Sequence, residues 1–66
     1  MTEYLKFLVV RYKTGGLFMS EFTGQGSAIS FYQNNRHDAH LHWIELVGIT
    51  KFDGCERLMF HAPRRI

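Results

Sequence analysis

The chain has 66 residues, with eight Lys or Arg against six Asp or Glu and a formal charge of +2. That length allows one small domain, residues 1–66, and no second domain to form a cleft against. The single cysteine excludes an intramolecular disulfide, so a reducing, cytoplasmic setting is the expectation. The charge permits nucleic acid as a partner without requiring it. No apolar stretch is long enough to span a bilayer, and Met1-Thr2-Glu3-Tyr4 lacks a signal peptide's basic region, so neither membrane span nor leader is expected.

In chain order, residues 3–13 predict a strand, because branched and aromatic side chains dominate them. Thr14-Gly15-Gly16 predicts a hairpin turn, since adjacent glycines accept the positive φ that tight turns need. Residues 17–23 return as the second strand. Loops of two or of three residues both fit, and they bring opposite faces together.

Residues 24–27 read as a loop, 28–33 as a third short strand, and 34–38 as a polar turn. Residues 39–47 fit two structures. As a helix, they are capped by Asn35 and stopped by Gly48, with Leu41, Ile44 and Val47 three apart. The apolar positions would then wrap more than half the circumference and set His37 and His40 on or beside the apolar arc, a poor amphipathic pattern. As a strand over 42–52, the segment uses Gly48 as a bend or bulge. The strand is preferred, because Asp53-Gly54 is the strongest hairpin dipeptide in the chain. A two-residue loop there sets Phe52 opposite Cys55, Lys51 opposite Glu56, Ile49 opposite Leu58 and Val47 opposite Phe60. The other face then pairs Thr50 with Arg57, Gly48 with Met59 and Leu46 with His61. Pro63 ends the last strand, since it cannot donate to a ladder, and residues 62–66 are expected to form a mobile basic tail.

The predicted class is all-β: a small five-stranded barrel or a strongly twisted antiparallel sheet. The alternative is α+β, the same sheet with one short helix near 36–47. Phe7, Phe22, Phe31 and Phe60 are expected in the core, whereas Tyr12, Phe18, Tyr32 and Trp43 fit core or surface.

Three of the four histidines crowd into Arg36-His37-Asp38-Ala39-His40-Leu41-His42-Trp43. With Asp38, Cys55 and His61 they supply donor atoms suited to zinc. Their spacing matches no finger, ribbon or HExxH pattern, and the predicted register puts His61 opposite Leu46, about 13 Å along the strand from His42. Cys55 follows a hairpin tip with no nucleophile elbow around it, and the six carboxylates show no catalytic pairing. No metal, no cofactor and no enzymatic activity are therefore expected.

Binding is the remaining class. Arg11, Lys13, Arg36, Lys51 and Arg57, with Arg64 and Arg65 of the tail, are candidate phosphate contacts, with Tyr12, Phe18, Tyr32 and Trp43 as stacking platforms. His37, His40 and His42 complete the candidate binding surface. His40 and His42 share a strand face in this reading, which would make a contact sensitive to pH near neutrality. The expected function is a non-catalytic binding module, with nucleic acid narrowly preferred over a larger protein that the chain inhibits, adapts or regulates. Arg and aromatic side chains suit protein interfaces equally, and exposed strand edges allow a homo-oligomer.

Overall fold

The computed structural model describes residues 3–52 and 54–63. Four strands and one helix follow in the order β1 (Tyr4–Lys13), β2 (Gly16–Phe22), α1 (Gln25–Asn35), β3 (Leu41–Thr50) and β4 (Cys55–His61). The sheet is open, with strand order β2-β1-β3-β4 and every neighbouring pair antiparallel. The antiparallel sheet and the one-helix α+β alternative are both realised. The sheet has four strands rather than five, and it does not close into a barrel.

The first hairpin forms as expected and takes the two-residue loop: Lys13 pairs with Gly16, and Gly15 and Gly16 have φ of 106° and 130°. Such angles are open to glycine at no steric cost.

The helix lies at residues 25–35, where a third strand was expected, and residues 41–50 are the strand that competed with a helix. Ala28, Phe31 and Tyr32 hold the i, i+3, i+4 stripe of a helix, while Ile29, Phe31 and Tyr32 are residue types that favour strands. Tertiary packing decides, because Ala28 is fully buried and Tyr32 nearly so against β1 and β3. Local capping contributes little: Gly24 stands at the N-cap with no side-chain hydrogen bond. At the other end the Asn35 amide donates to Phe31 O at 2.7 Å, and the Arg36 N–H donates to Tyr32 O at 3.1 Å. Since β2 and β3 both run antiparallel to β1, α1 carries the chain across β1 between two parallel strands.

The second hairpin is slipped from the expected register. Ile49 pairs with Cys55, Gly48 with Glu56 and Val47 with Arg57; beyond a bulge, Leu46 pairs with Met59, Glu45 with Phe60 and Ile44 with His61. A longer loop causes the slip. The Thr50 N–H donates to Gly54 O at 2.9 Å, and Thr50 Oγ1 accepts from the Gly54 N–H at 3.0 Å. These bonds close the ladder at Thr50 and leave Lys51 and Phe52 outside it. Asp53, half of the expected turn, lies outside the described residues, as do Arg64 and Arg65 of the expected tail.

The core lies between α1 and one face of the sheet. Val9, Ile44 and Ala28 are completely buried there, with Phe7, Leu41, Leu46 and Tyr32 around them. Tyr4 closes one end: its ring lies over Gly48, its centroid is 5.5 Å from that of Phe7, and its O–H donates to Glu56 Oε1 at 2.7 Å. Phe22 and Phe31 pack at the margin of this core. Phe60, expected inside, is 46% exposed: it stays on the Val47 side of the sheet, now beside Glu45, and α1 packs on the other side. Tyr32 is the aromatic that takes a core position instead.

Candidate binding surface

Alternation along the strands sorts the side chains into two faces. Phe7, Val9, Arg11 and Lys13 of β1 lie on the helix side, and Lys6, Leu8, Val10 and Tyr12 on the other. Their partners on β2 and β3 follow the same division.

The expected basic surface divides between these faces. Arg11 is wedged on the helix side, with its guanidinium carbon 5.2 Å from the centroid of Phe31 and 5.6 Å from that of Phe18. Its Nη1 donates to Asn35 Oδ1 at 3.3 Å, while its Nε is buried without a partner among the described residues. Lys13 Nζ donates to Asp38 Oδ2 at 2.7 Å. Both cations are thus engaged by the loop and helix that cover the core.

That loop is organised by Asp38. Its Oδ1 accepts from the His40 N–H at 2.9 Å while Oδ2 holds Lys13. The Lys13 hydrogen bond, aided by that backbone N–H, keeps the Asp38 carboxyl below its ordinary value. Arg36 and His37 lie exposed just past the helix, and His40 is exposed in the turn before β3. The expectation that His40 and His42 share a strand face is therefore corrected, since only His42 is in the strand. Among the described residues no three of His, Cys, Asp and Glu come together as metal ligands. His61, paired with Ile44, faces the helix side. Cys55 is exposed at the start of β4.

His42 and Trp43 belong to the opposite face. The β1–β3 register shifts between Tyr12–Trp43 and Lys13–Leu41, which leaves His42 as the extra residue of a bulge. Both neighbours consequently lie against Tyr12, with ring centroids 5.0 Å (His42) and 6.0 Å (Trp43) away. Phe60 continues the row at 6.1 Å from Trp43, and the Arg57 guanidinium carbon is 4.5 Å from the Phe60 centroid.

Among the described residues no helix covers this face. Val10 and Val47 are buried at its centre by their neighbours alone, while Tyr12, Leu17 and Met19 are 44%, 58% and 61% exposed around them. Its charges are matched: Lys6 pairs with Glu21, and Arg57 Nε donates to Glu45 Oε1 at 2.8 Å. Two paired cations and two paired anions give an apolar, charge-balanced surface rather than a basic one.

Sequence reasoning placed Tyr12, Trp43, His42 and Arg57 in a binding region but passed over Leu17, Met19, Glu21 and Phe60. A signal for them was present. Phe7-Leu8-Val9-Val10 is apolar at both parities, the mark of a strand whose two faces are both apolar. Set against family models, curated proteins and solved structures, the chain matches none. Among the described residues no helix is long and apolar enough to cross a membrane.

Proposed function

We propose that this chain is a non-catalytic binding module that meets a protein partner through the open face of its sheet. The observation that carries the reading is the apolar face around Val10 and Val47, bordered by exposed Tyr12, Leu17, Met19 and Phe60. Contiguous apolar surface of this kind marks interaction sites on soluble proteins, and aromatic residues with Met and Arg are enriched at such contacts. The paired charges of the face favour a protein over a polyphosphate, which would need free cations. A reducing compartment suits an exposed, unbridged Cys55.

Nucleic acid is the second reading, favoured by the row Tyr12–Trp43–Phe60, whose rings follow one another across β1, β3 and β4. Successive aromatic rings on a sheet are a platform for unstacked bases. Arg36, near the end of α1, is outside that row.

The test is affinity capture with the wild-type chain and with Met19→Lys, which puts a charge on the open face at an exposed position. A protein partner retained by the wild type and lost by the variant supports the reading. Equal retention by both removes the open face from it. Binding of a mixed-sequence oligonucleotide that falls steeply with salt, without any protein partner, transfers the site to the second reading.

A further inference from the structure

We propose that the partner on the open face is a second copy of this chain, packed face to face about a twofold axis that runs along the strands between β1 and β3. The inference rests on the reading of the open face as a protein-binding surface and names its occupant.

The pattern of the central strands asks for a second cover. β1 and β3 present apolar residues on both faces, yet α1 covers only one of them. For a chain of this length with one cysteine, oligomerisation is a physical route to the burial that one thin core lacks.

The face is on the scale of a specific interface. The molecule measures 38 × 20 × 19 Å, and ten-residue strands at roughly 3.3 Å per residue run along the long axis. The sheet face thus has a footprint of at most about 760 Å², close to the roughly 800 Å² per partner of a standard specific interface.

The charges choose the axis. The β1–β2, β1–β3 and β3–β4 registers align Glu21, Leu8, Val47 and Arg57 in one row across the face. Glu21 and Arg57 therefore lie at opposite edges of the same row, with opposite sign. A twofold along the strands, midway between β1 and β3, keeps rows together and exchanges the edges, so that β2 lies over β4 of the second copy. Glu21 then meets Arg57 of the second copy, twice by symmetry. The same operation brings Met19 to Phe60 and Tyr12 to Trp43. Each intrachain pair, Lys6–Glu21 and Glu45–Arg57, is thereby joined to its counterpart across the interface. Two sheets packed this way form an aligned sandwich, about 10 Å apart, with both helices outside.

Sedimentation of the purified chain over a concentration series, with two charge-reversal variants, tests the arrangement. The side chains of Glu21 and Arg57 are 56% and 59% exposed, so Glu21→Arg and Arg57→Glu are expected to keep the fold, with circular dichroism as the check. The wild type is expected at twice the chain mass. Each variant alone sets like charges opposite one another twice, and its self-association is expected to weaken by roughly tenfold or more. When the two variants are mixed, the introduced arginine of one faces the introduced glutamate of the other at one edge. The native Glu21–Arg57 pair is kept at the other edge, so the mixture is expected to recover a dimer. A wild-type chain monomeric at every concentration overturns the proposal. So do variants that associate like the wild type, a mixture that stays monomeric, or edge-to-edge oligomers larger than two. If the chain is monomeric and still retains a different protein through the Met19-sensitive face, only the self-association fails. If it retains neither protein nor itself, the reading of the face as a protein contact fails with it.

Discussion

Gly48 is the position in β3 where a side chain has no room. A Cβ there would come within 2.5 Å of Tyr4 Cδ1 and 3.0 Å of Tyr4 Cγ, the near end of a ring held at its far end by Glu56. Gly48→Ala is expected to destabilise the chain by about 1–3 kcal/mol through overpacking, read as a lower midpoint in urea. Combined with Tyr4→Ala it is expected to cost less than the two single changes added together, because the obstructing ring is gone. The bend or bulge expected at Gly48 is not there, since it pairs in regular register with Phe7 and Glu56. The glycine answers instead to the ring above it, which was not legible because Tyr4 and Gly48 meet only through the β1–β3 register. Asp38 has a comparable long-range partner in Lys13, 25 residues earlier. Its carboxyl is held below the ordinary value of 3.8, so the folded state binds its proton less readily than the unfolded chain does. The stability it contributes is complete above that ordinary value and is lost as pH falls from there through the folded one. Asp38→Asn is expected to remove this part of the acid limb, so that denaturation midpoints of variant and wild type converge below about pH 3.8. Parallel curves with a constant offset would contradict the Lys13–Asp38 account.

The elements differ in how far local sequence specifies them. The first hairpin has an unopposed local signal, two glycines between apolar runs, and it forms there with the two-residue loop. The second hairpin sets local signals against each other. Asp53-Gly54 favours a tight turn, but Thr50 binds Gly54 through both backbone and side chain and closes the ladder earlier. That slip carries Arg57 from the Thr50 side to the open face, while the bulge keeps Phe60 on the side of Val47. Phe60 is exposed because α1 covers the other face, a choice of face that the strand pattern alone does not specify. The helix was hidden for a different reason: Ile29, Phe31 and Tyr32 are strand-favouring residue types, although Ala28, Phe31 and Tyr32 form a helical i, i+3, i+4 stripe, and packing against Val9 and Ile44 decides between them. Gly26 provides a direct check on that assignment. It lies in the first turn of α1, exposed, and a Cβ there meets nothing within 4 Å. Gly26→Ala is expected to raise stability by about 0.5–1 kcal/mol by lowering the entropy of the unfolded chain and favouring the helix. No gain in the thermal midpoint would count against a helix at this position.

At the scale of the whole molecule, the chain is a sheet with two apolar faces and one cover. The expectation of a binding module came from residues gathered by sequence proximity: Arg36, His37, His40, His42 and Trp43. Folding separates that cluster. Arg11 and Lys13 are drawn under the helix side, Arg36, His37 and His40 lie around the end of α1, and His42 and Trp43 join the open face through a bulge. The surface that results is assembled from all four strands, and most of its members are adjacent only through strand pairing, which explains why composition could indicate binding but not locate it. Trp43 reports on this surface, because it is the chain's one tryptophan and lies between Tyr12 and Phe60 on the open face. The most direct measurement is acrylamide quenching of Trp43 fluorescence across a protein concentration series, for the wild type and Met19→Lys. Occupation of the open face by a second copy is expected to lower the quenching constant of the wild type as concentration rises, while the variant stays at its dilute value. A wild-type constant unchanged from the lowest to the highest concentration would contradict it.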